Sequence, residues 1–266
     1  MPGHAVVGTI DRDPLLVRSV GKAFAMLLAF DRRNPTLSLT QLAAATGLDR
    51  SAAQRYAHTL VGLGYLRKDL RSRRFSLAAP VLDLASRFMG TDPLLAAARP
   101  YLQHLSAETC ETVNLSLRDG TEVLFIARMV GRQVLNIDVS VGSRHPVYCT
   151  SPGIAILSAL PEEEARRILQ ACDRKPLTEM TVWRMEPLMQ KVALAARRGF
   201  AAAFEEIYHG DLAVAAVIRD VHGKPLGAIN IAALRSRMTP AEVEQRYAPM
   251  VMEAAQSISR ACIARS

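Results

Sequence analysis

The stretch SLTQLAAATGLDRSAAQRYAHTLVGLGYL, positions 38 to 66, narrows what this chain can fold into more than any other feature. Gly47 separates a short alanine-rich apolar segment from one that carries Arg50, Gln54, Arg55 and His58. Ser38 with Gln41 three residues on has capping-box spacing, which predicts a helix start. Gly47 tolerates the left-handed conformation that ends a helix, and Asp49 or Ser51 can start the next one, which is expected to run to about Leu63. Ala52, Tyr56, Leu60 and Leu63 are its expected apolar face, and Arg50, Ser51, Gln54, Arg55 and His58 lie on the other face. Two helices meeting at a glycine turn fit a DNA-binding helix-turn-helix, and they equally fit a small packing unit with a solvated polar face.

The flanks favour the DNA-binding reading. Upstream, RSVGKAFAMLLAF places Val20, Phe24, Leu27 and Leu28 at helical spacing, with Ser19 available as a cap. Downstream, YLRKDLRSRRFSLA reads as a strand, a charged turn and a second strand. Helix, helix, glycine turn, helix and basic hairpin make a winged helix-turn-helix. Residues 1–90 hold 13 Lys and Arg against 6 acids, all Asp, an excess of +7 out of the chain's +8. A basic excess confined to one third of the chain suits a polyanion-binding module joined to a near-neutral one. Arg and Gln at positions 55 and 54 are suited to guanine and adenine edges. Ser51 and His58 share their face. Arg50 and the wing residues Arg71, Arg73 and Arg74 suit phosphate or the minor groove, and Ser19 can offer its backbone N–H to a phosphate.

The organisation expected from this pass is an N-terminal tail over 1–15, the winged domain over 16–78, a linker helix over 79–92 that also has the character of a dimerisation element, and a second domain over 93–266. Leu94, Leu95, Ala98, Leu102 and Leu105 stripe a helix ending near Thr109. Asp119-Gly120 marks a hairpin between alternating segments, and QVLNIDVSVGS reads as a further strand. HPVYCTSPGIAILSALP passes from strand to helix. Two more helices, two or three strands turning at Gly223, and a final helix capped by Thr239 follow. Interleaved helices and antiparallel hairpins make this domain α+β.

Several function classes have no support in the residues. Cys110, Cys149, Cys172 and Cys262 are dispersed, without disulfide or zinc spacing, so neither a metal nor a cofactor is expected. No apolar run is long enough to span a membrane, and the N-terminus lacks the pattern of a secretion signal, so a cytoplasmic protein is expected. Nucleophile-elbow, P-loop, zincin and EF-hand motifs are absent. His209 and Asp211 would serve an enzyme only if the fold carried them to the serine-bearing turn YCTSPG. In that turn, Thr150 and Ser151 precede a helix start at Gly153, where backbone N–H groups favour an anion such as a carboxylate. Capping alone accounts for both hydroxyls equally well. Arg128 pairs either with an acid or at the surface. Tyr148, Ile154, Leu212 and Asn230 are expected wall residues by position, and Glu205 is either an acceptor for a ligand hydroxyl or a water-facing acid.

The segments RSVGKAFAMLLAF, LSLTQLAAATGLDRSAAQRYAHTLVGLGYL, RRFSLAAPVLDLA, PVYCTSPGIAILSALP and RRGFAAAFEEIYHGDLAVAAVIRDVHGKPLGAINIAA resemble, in this order, the IclR-type bacterial transcriptional regulators. Within the family, DPLLVRSVGKAFAMLLAF is similar to the branch controlling aromatic-acid catabolism. The resemblance implies a GAF-like C-terminal effector domain, a homodimer or dimer of dimers, a double-stranded DNA operator and a small organic acid as effector. The chain departs from the family pattern at Ile154, where Lys or Arg often follows the glycine, and at Leu212-Ala213, where Cys or Ser is common. A metabolite-binding module with a protein-binding N-terminal unit is the alternative, with an enzyme behind it.

Overall fold

The computed structural model describes residues 14–131 and 139–264. The tail expected over 1–15 falls largely outside them, as does most of the strand expected at QVLNIDVSVGS; its described remainder, 139–143, is not strand. The chain divides into two compact units between Gly90 and Thr91.

In the first unit, α1 (Arg18–Leu28), α2 (Leu39–Thr46) and α3 (Arg50–Gly62) precede β1 (Leu66–Lys68), β2 (Phe75–Leu77) and α4 (Val81–Thr91). Local chemistry sets the boundaries of α2 and α3. Ser38 and Gln41 form the reciprocal capping box, and Gly47 ends α2 with φ at 66°. The Asp49 carboxylate then accepts from the Ala52 N–H at 2.8 Å and starts α3. Met26, Leu37, Leu42, Ala57, Leu60, Leu66 and Phe75 form the core, and Leu37 pairs with Phe75 through two backbone hydrogen bonds, of 3.0 and 2.8 Å.

Three expectations need correction here. Helix α1 starts after Val17 without a side-chain cap, which leaves Ser19 inside its first turn. Its buried anchor is Met26, and Val20, Phe24 and Leu28 are exposed. The buried face of α3 is Ala53, Ala57 and Leu60, rotated from the expected stripe because small alanines, rather than Tyr56 and Leu63, allow the close approach to the neighbouring helices.

In the second unit, α5 (Pro93–Thr109), β3 (Thr112–Asp119), β4 (Glu122–Met129), β5 (Arg144–Pro146), a 3-10 turn (Val147–Cys149), α6 (Ser151–Leu157), α7 (Glu162–Ala171), α8 (Met185–Arg198), β6 (Ala201–Phe204), β7 (Asp211–Arg219), β8 (Pro225–Leu234) and α9 (Pro240–Ile263) follow in order. The six strands form one antiparallel sheet in the order β5-β4-β3-β8-β7-β6. One face packs Leu212, Val214, Ala216, Ile229 and Ile231 against α5 and α9. The other packs Phe125, Ala215 and Ala228 with α6, α7 and α8. Strand alternation therefore divides the buried apolar residues at the middle of the sheet between two cores.

Candidate functional site

Two places carry chemistry. In the winged unit, Arg50, Ser51, Gln54, Arg55 and His58 are all exposed along α3. The wing between β1 and β2 is shaped by Asp69, whose carboxylate accepts from the Arg71 N–H at 2.9 Å, the Ser72 N–H at 2.6 Å and the Ser72 hydroxyl at 2.9 Å. Those bonds hold its carboxyl below the usual range. Arg71 and Arg73 are exposed, and Arg73 takes a left-handed φ of 57°. Arg74 differs: its guanidinium donates to the Thr36 hydroxyl at 2.9 Å and the Thr36 carbonyl at 2.7 Å. It braces the turn before α2 instead of projecting outward.

In the second unit a cavity opens on the α6 face of the sheet. It encloses about 550 Å³ of empty space including its mouth. Cross-strand register builds its polar side: Arg128 on β4 lies opposite Asn114 on β3, which lies opposite Asn230 on β8. The Arg128 guanidinium donates to Asn114 Oδ1 at 2.9 Å, and burial lowers its pKa. Asp211, at the start of β7, faces the same cavity. Burial pushes its carboxyl up to about 7, against the pull of Arg128. The residue as a whole is partly exposed, yet its Oδ1 lies out of contact with solvent.

Alanines at 203, 213 and 232 give the cavity a low floor, and Phe125, His145 and Tyr208 line it with rings. His145 packs edge-on against both neighbours, at centroid distances of 5.4 and 5.9 Å. Burial brings its pKa down to about 4, which keeps the imidazole neutral. Ile207 and Tyr208 come from a loop tied down at Glu206. That buried carboxylate pairs with Lys191 on α8 and accepts from the Val182 N–H at 3.3 Å.

Thr150 and Ser151 both line this cavity, but they differ in availability. The Thr150 hydroxyl accepts from the Gly153 N–H at 3.1 Å and donates to the Pro146 carbonyl at 3.1 Å, so it serves as the α6 cap. Ser151 Oγ is buried and makes no hydrogen bond among the described residues. Gly153 is needed by the backbone: a Cβ there would lie 2.2 Å from the Val147 carbonyl oxygen.

Five expected residues stand elsewhere. Tyr148 is buried with its hydroxyl 3.0 Å from the Lys175 carbonyl, and Ile154 lies in the α6 core. Gly153 sits behind the cap. Leu212 points to the opposite face of the sheet, because its neighbours Asp211 and Ala213 occupy the cavity side. Glu205 accepts from the Gly210 N–H at 2.9 Å and pairs with Arg235 at 3.2 Å. The cavity does bring together Arg128, Thr150, Ser151 and Asn230, and it adds Asp211, Asn114, His145 and Tyr208. Asp211 lines the same cavity as the serine turn, while His209 is exposed and 3.7 Å from Glu179. With no base bonded to it among the described residues, Ser151 lacks the activation a nucleophile needs.

Comparison with known proteins gives a consistent picture. Two family models match: the IclR helix-turn-helix domain over residues 19–70, and the bacterial transcriptional regulator IclR C-terminal domain over residues 86–260. The chain is 32% identical over 247 residues to the Pca regulon regulatory protein of Pseudomonas putida, covering 92% of this chain and 84% of that one. It is 28% identical to the p-hydroxybenzoate hydroxylase transcriptional activator of Acinetobacter baylyi, covering 91% and 90%. Among solved structures, a putative transcriptional regulator from Rhodococcus sp. RHA1 superposes with a TM-score of 0.84 at 28% identity, covering 94% of this chain and all of that one.

Proposed function

The chain belongs to the IclR family of bacterial transcriptional regulators, and from that premise we propose that it controls catabolic genes in response to a small aromatic or keto acid. Members of this family are regulators, not enzymes. The observation that carries the DNA side is the exposed row Arg50, Ser51, Gln54, Arg55 and His58 on α3, beside a wing whose Arg71 and Arg73 face outward. In this reading Gln54 and Arg55 touch base edges, Ser51 and His58 flank them, and Arg50, Arg71, Arg73 and the Ser19 N–H contact phosphate. Arg74 supports the wing through Thr36.

The effector enters the cavity beneath α6, with its carboxylate on Arg128 and Ser151 and its body among Phe125, His145 and Tyr208. Two relatives, one named for the Pca regulon and the other for p-hydroxybenzoate hydroxylase, favour genes of aromatic-acid breakdown. A homodimer, or a dimer of dimers, would cover the exposed Val20, Phe24 and Leu28 of α1 and Leu82 and Leu84 of α4. Effector binding regulates by favouring one arrangement of the paired DNA-binding units over another. A regulator working on DNA this way acts in the cytoplasm.

The test is capture of sheared genomic fragments on the full-length protein at about 0.15 M salt, where non-specific contacts are weakened. A few recovered sites sharing an inverted repeat, altered by adding aromatic or keto acids, support the proposal. Fragments recovered without any shared sequence, with or without the acids, refute it.

A further inference from the structure

The connector between α7 and α8, residues 172–184, is fastened along its length. The Thr178 hydroxyl donates to the Glu205 carbonyl at 2.6 Å, and the Thr181 hydroxyl to the Glu206 carbonyl at 2.7 Å. Thr181 Oγ1 also accepts from the Leu177 N–H at 3.0 Å and the Thr178 N–H at 2.8 Å, which closes a tight turn. Before the turn, Tyr148 donates to the Lys175 carbonyl at 3.0 Å. After it, the Val182 N–H donates to the Glu206 carboxylate. Both threonines are buried, so the polar side of the turn is used up inward.

What the turn shows outward is apolar. Leu177, Met180 and Trp183 are 39%, 53% and 37% exposed. The other exposed large apolar residues described in the second unit, Val130, Val141, Leu194, Val221 and Ile263, are dispersed along the chain. Single exposed apolar residues are ordinary, whereas a cluster rimmed by charge marks a contact surface. Because the turn is already held in shape, little ordering cost is left for docking.

The rim narrows the kind of partner. Residues 173–186 carry Asp173, Glu179 and Glu186 against Arg174, Lys175 and Arg184, so the stretch is neutral overall and is matched neither to a strongly acidic nor to a strongly basic surface. Most of these charges are already engaged. Asp173 pairs with Lys175 at 3.5 Å, Glu186 with Arg166 at 3.4 Å, and Arg174 donates to the Trp183 carbonyl at 3.3 Å. Arg184 lies 5.5 Å from the centre of the Trp183 ring and has no carboxylate partner among the described residues. Glu179 has His209, at 3.7 Å. One cation without a carboxylate and one weakly held anion, five residues apart on a rigid surface, are complementary to a copy of themselves. In a twofold contact Arg184 of each copy meets Glu179 of the other.

We propose that the α7–α8 connector is a twofold contact between two copies of this chain, with Leu177, Met180 and Trp183 at its centre and an Arg184–Glu179 pair on either side. It is separate from any pairing through α1 and α4 and does not depend on it. Where both contacts form, they build a dimer of dimers.

Sedimentation velocity of the full-length protein across a wide range of concentration tests this, with Arg184→Glu and Glu179→Arg as separate variants. Both residues are exposed, so neither change disturbs the core. The parent should form an assembly that each variant forms only at about tenfold or higher concentration, because each variant sets like charges against each other across the axis. Mixing the two variants in equal amounts should restore assembly, since each then meets the opposite sign at both ends of the contact. Met180→Glu, which places a charge at the centre, should weaken assembly of the parent. Variants that assemble just as the parent does overturn the proposal, and that is the result expected if the patch serves a different partner. A mixture that stays as dissociated as either variant alone overturns it as well.

Discussion

Replacing Asp211 by asparagine isolates the cost of burying one carboxylate in the cavity beneath α6. The side chain keeps its shape and loses its charge. In the folded protein the Asp211 carboxyl titrates near 7, against an ordinary value of 3.8. A carboxyl whose pKa is raised by folding destabilises the native state when it ionises. The penalty is absent below the unfolded value of 3.8, grows as pH rises towards 7, and is constant above that. Every tenfold difference in proton affinity between the folded and unfolded chain is worth about 1.4 kcal/mol, so the full penalty is about 4 kcal/mol at pH 8 and about 2 kcal/mol at pH 5. Asp211→Asn should therefore stabilise the ligand-free protein, with an advantage that widens by roughly 2.5 kcal/mol between pH 5 and pH 8. Urea unfolding followed by fluorescence of Trp183, the single tryptophan of the chain, reports on the unit that contains the cavity. A variant no more stable than the parent at pH 8, or an advantage that stays constant from pH 5 to pH 8, would refute the argument.

Three other changes have defined outcomes. Arg55→Ala should weaken operator binding by roughly 10- to 100-fold, the worth of one base-edge contact, and leave acid binding unchanged; fluorescence anisotropy on a labelled operator measures it, and undiminished affinity removes Arg55 from the readout. Gly153→Ala forces a Cβ to within 2.2 Å of the Val147 carbonyl oxygen and should cost about 3 kcal/mol in Trp183-monitored unfolding; unchanged stability would show that the start of α6 can shift freely. Lys191→Met leaves the buried Glu206 carboxylate unpaired and should cost about 3 to 5 kcal/mol. Glu206→Gln in the same background should recover part of that loss, and failure to recover would mean the two residues are not coupled.

Signals contained within a few residues of one another were legible in the sequence. Ser38 with Gln41, Gly47, Asp49, Asp119-Gly120 and Thr239 each placed an element boundary that the structure has. Features depending on which neighbour a face meets were less legible. Val20, Phe24 and Leu28 have a spacing that a core would accept, yet Met26 enters the core and they do not. On α3 the true face consists of alanines, whose short side chains give a weak hydrophobic signal.

The candidate site shows the same limit. Arg128, Thr150, Ser151 and Asn230 lie on strands or turns with recognisable chemistry, but their shared cavity depends on β3, β4, β7 and β8 lying side by side, which no local pattern states. From the sequence, Asp211 has a role only as a distant partner in an enzyme. Its one local signal is an acid heading the run LAVAAVI, and β7 alternation is needed to tell that Asp211 and Ala213 face one way and Leu212 the other.

That alternation also bears on how such a protein can change over evolutionary time. Along β7, residues 212, 214, 216 and 218 belong to the core against α5 and α9, and residues 211 and 213 belong to the cavity. Even-numbered positions answer to the fold, and the first odd-numbered positions answer to the proposed effector of the cavity. A lineage can therefore exchange Asp211 or Ala213 for larger, smaller or differently charged residues while the even positions hold the domain together. Recognition drifts along one edge of the strand while the other stays fixed, so one scaffold can acquire new chemical cues one substitution at a time.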